Sequence, residues 1–320
     1  MTLKRAIVTS VGPLRIMIDG DTEPIPFTPK SLIDPATLAV GDVVHADQSG
    51  HRLVVLGRVG GLGLVSGRNL IINGDFRINQ RGYVSGDANG SVYRFDRWRT
   101  ERGGATTFTE SSQGQVITLA DGATAEQVIE ERDMPAGDYV VSWVGTANIA
   151  VIGETTYLTS PFVYSHDGVG NVSIRAYAYP GSSKTLHNVK VERGTNPTPF
   201  VPRLYGEEFA LCQRYYRKMG PAGGGTSSLA GFGSQFSTTL GQVPILFSPP
   251  MRGASTLTYG GKVGWTDEIS FAVDATPSLS RASKDSALIS ATFVANGASQ
   301  RPGTLRSDDG TGWLAFDAEL

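Results

Sequence analysis

The sequence predicts a mainly β protein in which one amphipathic helix separates small β modules. Glycine accounts for 40 of the 320 residues. Short runs of alternating apolar and polar residues are separated by Gly, Asn, Asp and Pro, which is typical of strands joined by turns. Hydrophobic residues make up 40% of the chain, enough to build cores. Only one stretch has the apolar spacing that a helix requires.

Residues 1–60 are predicted to form a small β-barrel of the OB or SH3-like kind. In the run LRIMI, Leu14, Ile16 and Ile18 fall on one face, as expected for a strand with one buried face. Further along, GDVVHA and HRLVVLGRV are separated by Gln-Ser-Gly and have the spacing of a hairpin. Several short strands in so few residues favour a small barrel over a larger sheet.

Residues 61–68 are rich in small side chains and are interpreted as a linker. The stretch 69–203 is predicted to be a jelly-roll β-sandwich, because short strand-like runs follow one another with turn residues between them. Trp98 and Trp143 lie inside such runs. We therefore expect both indoles in the core of the sandwich rather than against a ligand.

Residues 204–220 are predicted to form the single amphipathic helix. Five apolar side chains, spaced four, three, four and three residues apart, fall on one stripe of such a helix. They are Tyr205, Phe209, Cys212, Tyr216 and Met219. Acidic residues in the first turn and basic residues in the last complement the helix dipole, and Gly220 can cap the end. Two arrangements stay open: the stripe packs on the chain's own sheet, or it is the oligomer interface of a three-fold helix bundle.

Residues 221–320 are again strand-like and are predicted to form a C-terminal β-sandwich. Trp265 lies in a Gly-rich turn, where a large apolar side chain has less reason to be buried. Exposed aromatic rings beside polar groups can stack on sugars. We therefore expect Trp265 and the nearby Tyr259 to bind a ligand, whereas Trp313 is expected between subunits.

Composition and charge argue against several classes of partner. The formal net charge of −2 gives no general attraction to nucleic acid or to an anionic membrane. Long apolar runs are absent, and the N-terminal residues lack the apolar core of a signal peptide. Cys212 is the only cysteine, which excludes a disulfide within the chain. We expect synthesis in a reducing cytoplasm, without nucleic-acid binding or membrane insertion.

No motif predicts a catalytic, metal or cofactor site. Cleavage of a glycan requires two carboxylates that face each other across a cleft. The acidic residues of the predicted sandwich lack an apolar sequence context that would raise a carboxyl pKa, and Glu130 with Glu131 is interpreted as a solvated loop. The acidic residues considered are Asp96, Glu101, Glu110, Glu126, Glu130 and Glu131. The protein is therefore predicted not to be an enzyme, and no cofactor is expected.

Five short blocks stand out between residues 69 and 320. They are NLIINGDFRINQRG at 69–82, DRW at 96–98, VKVERGTNPTPFVPR at 189–203, EEFALCQRYYRK at 207–218 and AFDAEL at 315–320. In this order, the blocks resemble the tail-fibre and receptor-binding proteins of tailed bacteriophages. The resemblance implies a sandwich module, an exit strand, an axial helix and a last domain in a protein that binds a host receptor.

Two further resemblances concern the ends of this arrangement. The segment GDVVHADQSGHRLVVLGRV, within residues 1–60, resembles small barrels of minor tail and baseplate proteins, which implies docking on phage tail or baseplate proteins. The sandwich at 69–203 resembles carbohydrate-binding modules that begin with an asparagine and a Gly-Phe-Glu step, part of a structural calcium site. Here Arg77 follows Gly74-Asp75-Phe76 in place of that acidic residue, so the likeness gives no support to calcium.

Together, the resemblances imply a virion structural protein of the tail tip or tail fibre. It would be a homotrimer, made in the host cytoplasm, that binds a host cell-envelope polysaccharide during adsorption without cleaving it. Two alternatives stay open: a glycan-degrading enzyme or its targeting module, and a ligand-free structural spacer of the baseplate.

Overall fold

The computed structural model covers most of the chain and confirms the mainly β fold class. The residues that it describes are 3–32, 35, 38, 40–49, 52–58, 68–86, 90, 92–101, 105–111, 114–151, 156–178, 181–220, 227–266, 274–294 and 300–320. Apart from Arg68, the predicted linker at 61–68 lies outside them. The chain divides into two compact units, Met1–Arg68 and Asn69–Leu320. Over these described ranges, no helix is long and apolar enough to cross a membrane.

The N-terminal unit, predicted as a small barrel, contains one five-stranded sheet. Its strands are β1 (Leu3–Val11), β2 (Leu14–Ile18), β3 (Lys30–Ser31), β4 (Val43–Ser49) and β5 (Arg52–Arg58). The strand order is β2-β1-β4-β5-β3, and β3 joins β5 in parallel. Leu14, Ile16 and Ile18 are buried on one face of β2, as the alternation in the sequence predicts. The hairpin of β4 and β5 is likewise confirmed.

In its described residues, the module at 69–203 has ten strands. They are β6 (Val92–Phe95), β7 (Trp98–Thr100), β8 (Thr106–Ser111), β9 (Gly114–Leu119), β10 (Thr124–Ile129), β11 (Gly137–Gly145), β12 (Asn148–Val151), β13 (Phe162–His166), β14 (Val172–Tyr177) and β15 (Lys184–Arg193). Two five-stranded sheets result, ordered β12-β14-β10-β7-β6 and β13-β11-β15-β9-β8. Trp98 and Trp143 are buried in the shared core, which confirms their predicted place. The predicted sandwich is therefore present.

The block at 69–82 precedes the first of these strands and packs against β15. Asn69 accepts hydrogen bonds from the Ile71 and Val191 amides, at 2.9 and 3.0 Å, and donates to the Val189 carbonyl at 2.9 Å. A Cβ on Gly74 would lie 2.3 Å from the Val189 carbonyl oxygen, so no larger residue fits without a backbone shift. The Asn and the Gly of this block thus fix the start of the sandwich.

The predicted helix at 204–220 is half as long in the structure. Helix α1 spans Tyr205–Gln213, and the chain then turns and continues as strand β16 (Tyr216–Met219). The prediction of one continuous helix is wrong because the second half pairs, residue by residue, with a strand near the end of the chain, from Tyr216 opposite Asp317 to Met219 opposite Leu314. Tyrosine suits a pleated surface at least as well as a helix, so tertiary pairing decides the outcome.

The C-terminal module is a sandwich of a three-stranded and a six-stranded sheet, as predicted. Its remaining strands are β17 (Ser227–Ser237), β18 (Leu240–Leu246), β19 (Thr256–Gly260), β20 (Val263–Thr266), β21 (Ala275–Ala282), β22 (Ser286–Phe293), β23 (Pro302–Ser307) and β24 (Trp313–Asp317). The sheets have the orders β16-β24-β19 and β20-β23-β17-β18-β22-β21. Leu314 and Phe316 of β24 point into the core between them. The strand that captures the end of the predicted helix is therefore itself anchored in this core.

Candidate functional site

Of the two aromatic residues predicted to bind a ligand, one is buried and the other is partly exposed. Trp265 is fully buried on β20, with its ring stacked on Phe293 at a centroid distance of 5.7 Å. A Cβ on Gly241 or Gly303 would lie 2.6 or 2.4 Å from the indole, so these two glycines leave the space that the ring occupies. The prediction that Trp265 is exposed for a ligand is wrong. Tyr259 is 42% exposed on β19, and its role stays a prediction.

The five residues of the predicted oligomer interface do not form one helical stripe. Tyr205 and Phe209 lie on α1 with stacked rings, 6.0 Å between centroids, and Tyr205 is mostly exposed. Cys212 is fully buried within its own chain, and burial raises the pKa of its thiol, in keeping with a core residue. Tyr216 and Met219 lie on β16, where Tyr216 is also buried. A shared interface of all five is therefore excluded by the fold of the single chain.

The five sequence blocks meet at one place, between the first sandwich and the C-terminal module. Each block contributes side chains that are bonded to side chains or backbone of another block. We call the central cluster the buried junction; it consists of Asn73, Asp96, Arg97, Glu208, Tyr215 and Glu319. The side chains of all six are nearly inaccessible to solvent.

Asn73 connects three blocks in the buried junction. Its side-chain amide donates to the carbonyls of Ile78, at 2.8 Å, and Asp96, at 3.0 Å. Its own carbonyl accepts a hydrogen bond of 2.8 Å from the Trp98 indole. Its backbone amide donates to the Glu208 carboxylate on α1 at 2.5 Å. Asn73 adopts a left-handed conformation with φ of 57°, which asparagine tolerates better than most residues.

Arg203, the last residue of the third block, borders the buried junction and pairs with Glu208. Its guanidinium binds both oxygens of Glu208 at 3.0 Å and the Ile71 carbonyl at 3.1 Å. It also donates to the carbonyl of Asn69. The segment after β15, the start of the sandwich and α1 are thus held by one pair of opposite charges.

Arg97 and Glu319 form the buried ion pair at the centre of the buried junction. One guanidinium nitrogen of Arg97 bonds to the Glu319 carboxylate, and another donates to the Val128 carbonyl at 2.6 Å. The Tyr215 ring lies 3.5 Å from the guanidinium carbon, a cation–π contact. Arg97 has φ of 71°, which is strained for a side chain with a Cβ. In this conformation, the guanidinium bonds both to Val128 of the first sandwich and to Glu319 near the end of the C-terminal module.

The hydroxyl of Tyr215 extends the buried junction to the rim of the first sandwich. It donates to the Glu130 carboxylate, which also forms ion pairs with Arg132 at 2.7 Å and Arg252 at 3.5 Å. Burial raises the pKa of Tyr215 to about 12, so the phenol keeps the proton that it donates. Glu130 is largely buried, and its assignment to a solvated loop is wrong because the contact with Tyr215 covers it.

Asp96 is a buried carboxyl without a positively charged hydrogen-bond partner. The backbone and side-chain amides of Gln80 donate to its two oxygens at 2.7 and 2.6 Å. The same side-chain amide donates to the Tyr216 carbonyl at 3.0 Å, so it links the carboxyl to β16. Burial raises the pKa of Asp96 to about 6, although the Gln80 amides oppose this shift.

Several of the other acidic residues are paired with cations on the sandwich. Arg175 binds Glu101 and Glu126, each at 2.6 Å, across neighbouring strands. Asp75, which follows Gly74, forms an ion pair with the guanidinium of Arg77. In the described part of the chain, no three metal-ligating side chains come together. These carboxylates have the geometry of structural ion pairs.

Sequence reasoning identified the blocks but missed what joins them. Glu319 lies 222 residues after Arg97, and no local pattern connects the two positions. The strand-like run at the end of the chain agrees with β24, yet Glu319 and Leu320, beyond its last residue Asp317, carry the contact. Tyr93, whose hydroxyl donates to the Leu320 carbonyl at 2.7 Å, was likewise not recognised as part of this contact.

No protein-family model matches this chain, and no curated protein matches it either. The functional interpretation therefore depends on the resemblance of the five blocks and on the geometry into which they fold.

We expect Glu319→Ala to lower the free energy of unfolding by about 3–5 kcal/mol, because Arg97 would remain buried without its counter-charge. Urea unfolding followed by circular dichroism measures this loss. Glu110→Ala, on the exposed strand β8, is the matched control and should change stability by less than about 0.5 kcal/mol. A loss below about 1 kcal/mol for Glu319→Ala would contradict a central role for this ion pair.

Asp96 should make stability depend on pH in the unusual direction for a carboxyl. Because its pKa is about 6 when folded and 3.8 in the reference state, the folded chain holds this proton more tightly. Stability from this group is complete below pH 4 and decreases as the pH rises to 6. Between pH 3 and pH 7, the free energy of unfolding should fall by about 3 kcal/mol more for the wild type than for Asp96→Asn. An equal change in unfolding free energy for the two proteins would refute this prediction.

Proposed function

We propose that the protein is a structural component of a bacteriophage tail tip or tail fibre that attaches the particle to a host cell-surface glycan without cleaving it. One observation supports this proposal above all. The five blocks that resemble tail-fibre and receptor-binding proteins are scattered over 69–320, yet all five contribute to the contacts in and around the buried junction.

Spatial convergence strengthens a resemblance that is short in sequence. Blocks that matched a family by chance would have no reason to meet at one place in the fold. Here Asn73 of the first block bonds to Asp96 of the second, and the adjacent Arg97 bonds to Glu319 of the fifth. Residues that act together in one inter-module contact are those that a shared architecture would retain.

The arrangement of units suits an adhesive virion protein. Residues 1–60 would dock on tail or baseplate proteins, while Asn69–Leu320, which forms one compact unit, would reach the host surface. Synthesis would occur in the host cytoplasm. Several copies on one particle would turn weak individual binding into firm adhesion, because linked sites raise the effective concentration.

The proposed homotrimer has a smaller candidate interface than the full helical stripe. Val201, Leu204 and Tyr205 are 74%, 80% and 60% exposed and follow one another where the chain enters α1. Phe209 stacks on Tyr205 and adds to this apolar patch. We assign this patch to the contact with a second copy of the chain in the proposed homotrimer.

The function can be tested on virions that carry this gene. Antibodies against the purified full chain should label the tail tip or fibre, and excess chain should slow adsorption to the host. Incubation with purified envelope polysaccharide of that host then separates the alternatives. Retention without released oligosaccharide supports adhesion, released oligosaccharide would indicate an enzyme, and neither result would indicate a ligand-free spacer.

We expect Tyr205→Asp to reduce the mass of the assembly, because each copy would place an unpaired charge in the apolar patch. Light scattering should give three times 34.0 kDa for the wild type and a smaller mass for the variant. Tyr259→Asp is the matched control, since Tyr259 is also an exposed tyrosine, on β19. A wild-type mass of one chain would contradict the homotrimer.

A further inference from the structure

An open groove runs along one side of the first sandwich, where the edge strands of its two sheets lie near each other. One wall is β13, the edge of the second sheet, and the other is formed by the end of β12 and the segment 156–158. Two adjoining depressions of about 350 and 370 Å³ share Val151, Tyr164 and Ser165. Each falls in the range of about 300–1,000 Å³ that small-molecule sites occupy.

The two halves of the groove differ in chemistry. The first is mainly apolar and is lined by Val151, Leu158 and Phe162. The second is mainly polar and is lined by His166, Asp167 and Asn171 among others. Tyr164 lies between the halves, and its ring is stacked on the His166 imidazole with 6.0 Å between centroids. An aromatic ring beside amide, imidazole and carboxylate groups is the combination that binds the mixed apolar and hydroxylated faces of a sugar.

His166 provides an independent indication of a ligand. Its side chain is 2% exposed and lines the polar half of the groove. Its Nδ1 atom lies 3.5 Å from the Tyr164 hydroxyl and 3.7 Å from the Asp167 carboxylate, whereas its Nε2 atom is buried without a hydrogen-bond partner. Buried polar atoms are nearly always bonded, so an orphan atom at a groove calls for a partner. A sugar hydroxyl can donate or accept and therefore suits either tautomer.

The charges of the groove restrict the class of sugar. Asp167 is the one charged side chain among the described residues that line it, and its carboxylate is mostly exposed. The described lining contains no Lys or Arg, the side chains that most often pair with a carboxylate or phosphate group. A neutral saccharide is therefore favoured over an acidic one.

We propose that this groove, centred on Tyr164 and His166, is a binding site for a neutral saccharide. The inference rests on the proposed function and extends it, because it assigns the glycan to the edge of the first sandwich rather than to Trp265 or Tyr259. The Tyr164 ring packs on the sugar ring, the His166 Nε2 atom bonds a hydroxyl, and Asp167 accepts from another.

Binding can be measured with the full chain on an array that carries neutral hexose and N-acetylhexosamine oligosaccharides beside uronate- and sialate-containing ones. The best neutral oligosaccharide is then titrated by calorimetry. His166→Leu should weaken binding at least tenfold, because it removes the Nε2 atom. His166→Gln, whose amide nitrogen or oxygen can take the place of Nε2, should bind within about threefold of wild type, given that hydrogen-bond contributions vary severalfold.

Two controls keep a folding defect apart from a binding defect. Thermal unfolding of both His166 variants shows whether they remain folded at the assay temperature. Asp167→Asn removes one negative charge from the turn after β13, and Glu110→Gln removes one from β8. Both strands are edge strands of the same sheet. Asp167→Asn should weaken binding, whereas Glu110→Gln should leave it unchanged.

Other outcomes would overturn this inference in recognisable ways. Equal affinity of wild type and folded His166→Leu for a glycan would place the site elsewhere and leave the proposed function standing. Preference for acidic glycans, or a protein partner that pairs with the edge of β13 and protects its amides from exchange, would refute the assignment of the groove. If the chain blocks adsorption but binds no glycan, the assignment of the groove is also refuted. If the chain neither binds a glycan nor blocks adsorption, the proposed function is refuted as well.

Discussion

The ion pair between Arg97 and Glu319 is the constraint on which the rest of the second unit depends. A guanidinium taken out of water needs a counter-charge and further acceptors, and here they come from the penultimate residue of the chain and from the Val128 carbonyl. The contact joins positions 222 residues apart. Because Arg97 also covers the Tyr215 ring, it fixes where the chain must turn after α1. The first sandwich and the C-terminal module are thus joined by a buried polar cluster.

This junction changes how the sequence blocks are understood. Asn, Gly, Asp and Arg in exposed loops commonly indicate a ligand site, but here Asn73, Gly74 and Arg97 are buried and bonded to backbone or to each other. The strained conformation of Arg97 belongs to the same contact. In this protein, the most distinctive residues therefore hold two modules together.

The groove at the edge of the first sandwich is formed by other residues. None of its residues belongs to the five blocks, and its polar half comes mainly from the end of β13, the turn that follows it and the start of β14. Edge strands and turns tolerate substitution better than a packed junction, since their side chains do not have to satisfy buried partners.

The sequence alone determined the fold class and much of the local structure. Period-two alternation placed Leu14, Ile16 and Ile18 in a core, and strand context did the same for Trp98, because the pleat of a strand sends alternate side chains to opposite faces. Tertiary structure alone decided the positions of Tyr216, Trp265 and Glu130. Tyr216 pairs with the distant β24, Trp265 fills a space left by two glycines of other strands, and Glu130 is covered by Tyr215. Local periodicity contains no information on which distant backbone or cavity a side chain will meet, and at these positions that long-range contact outweighs propensity.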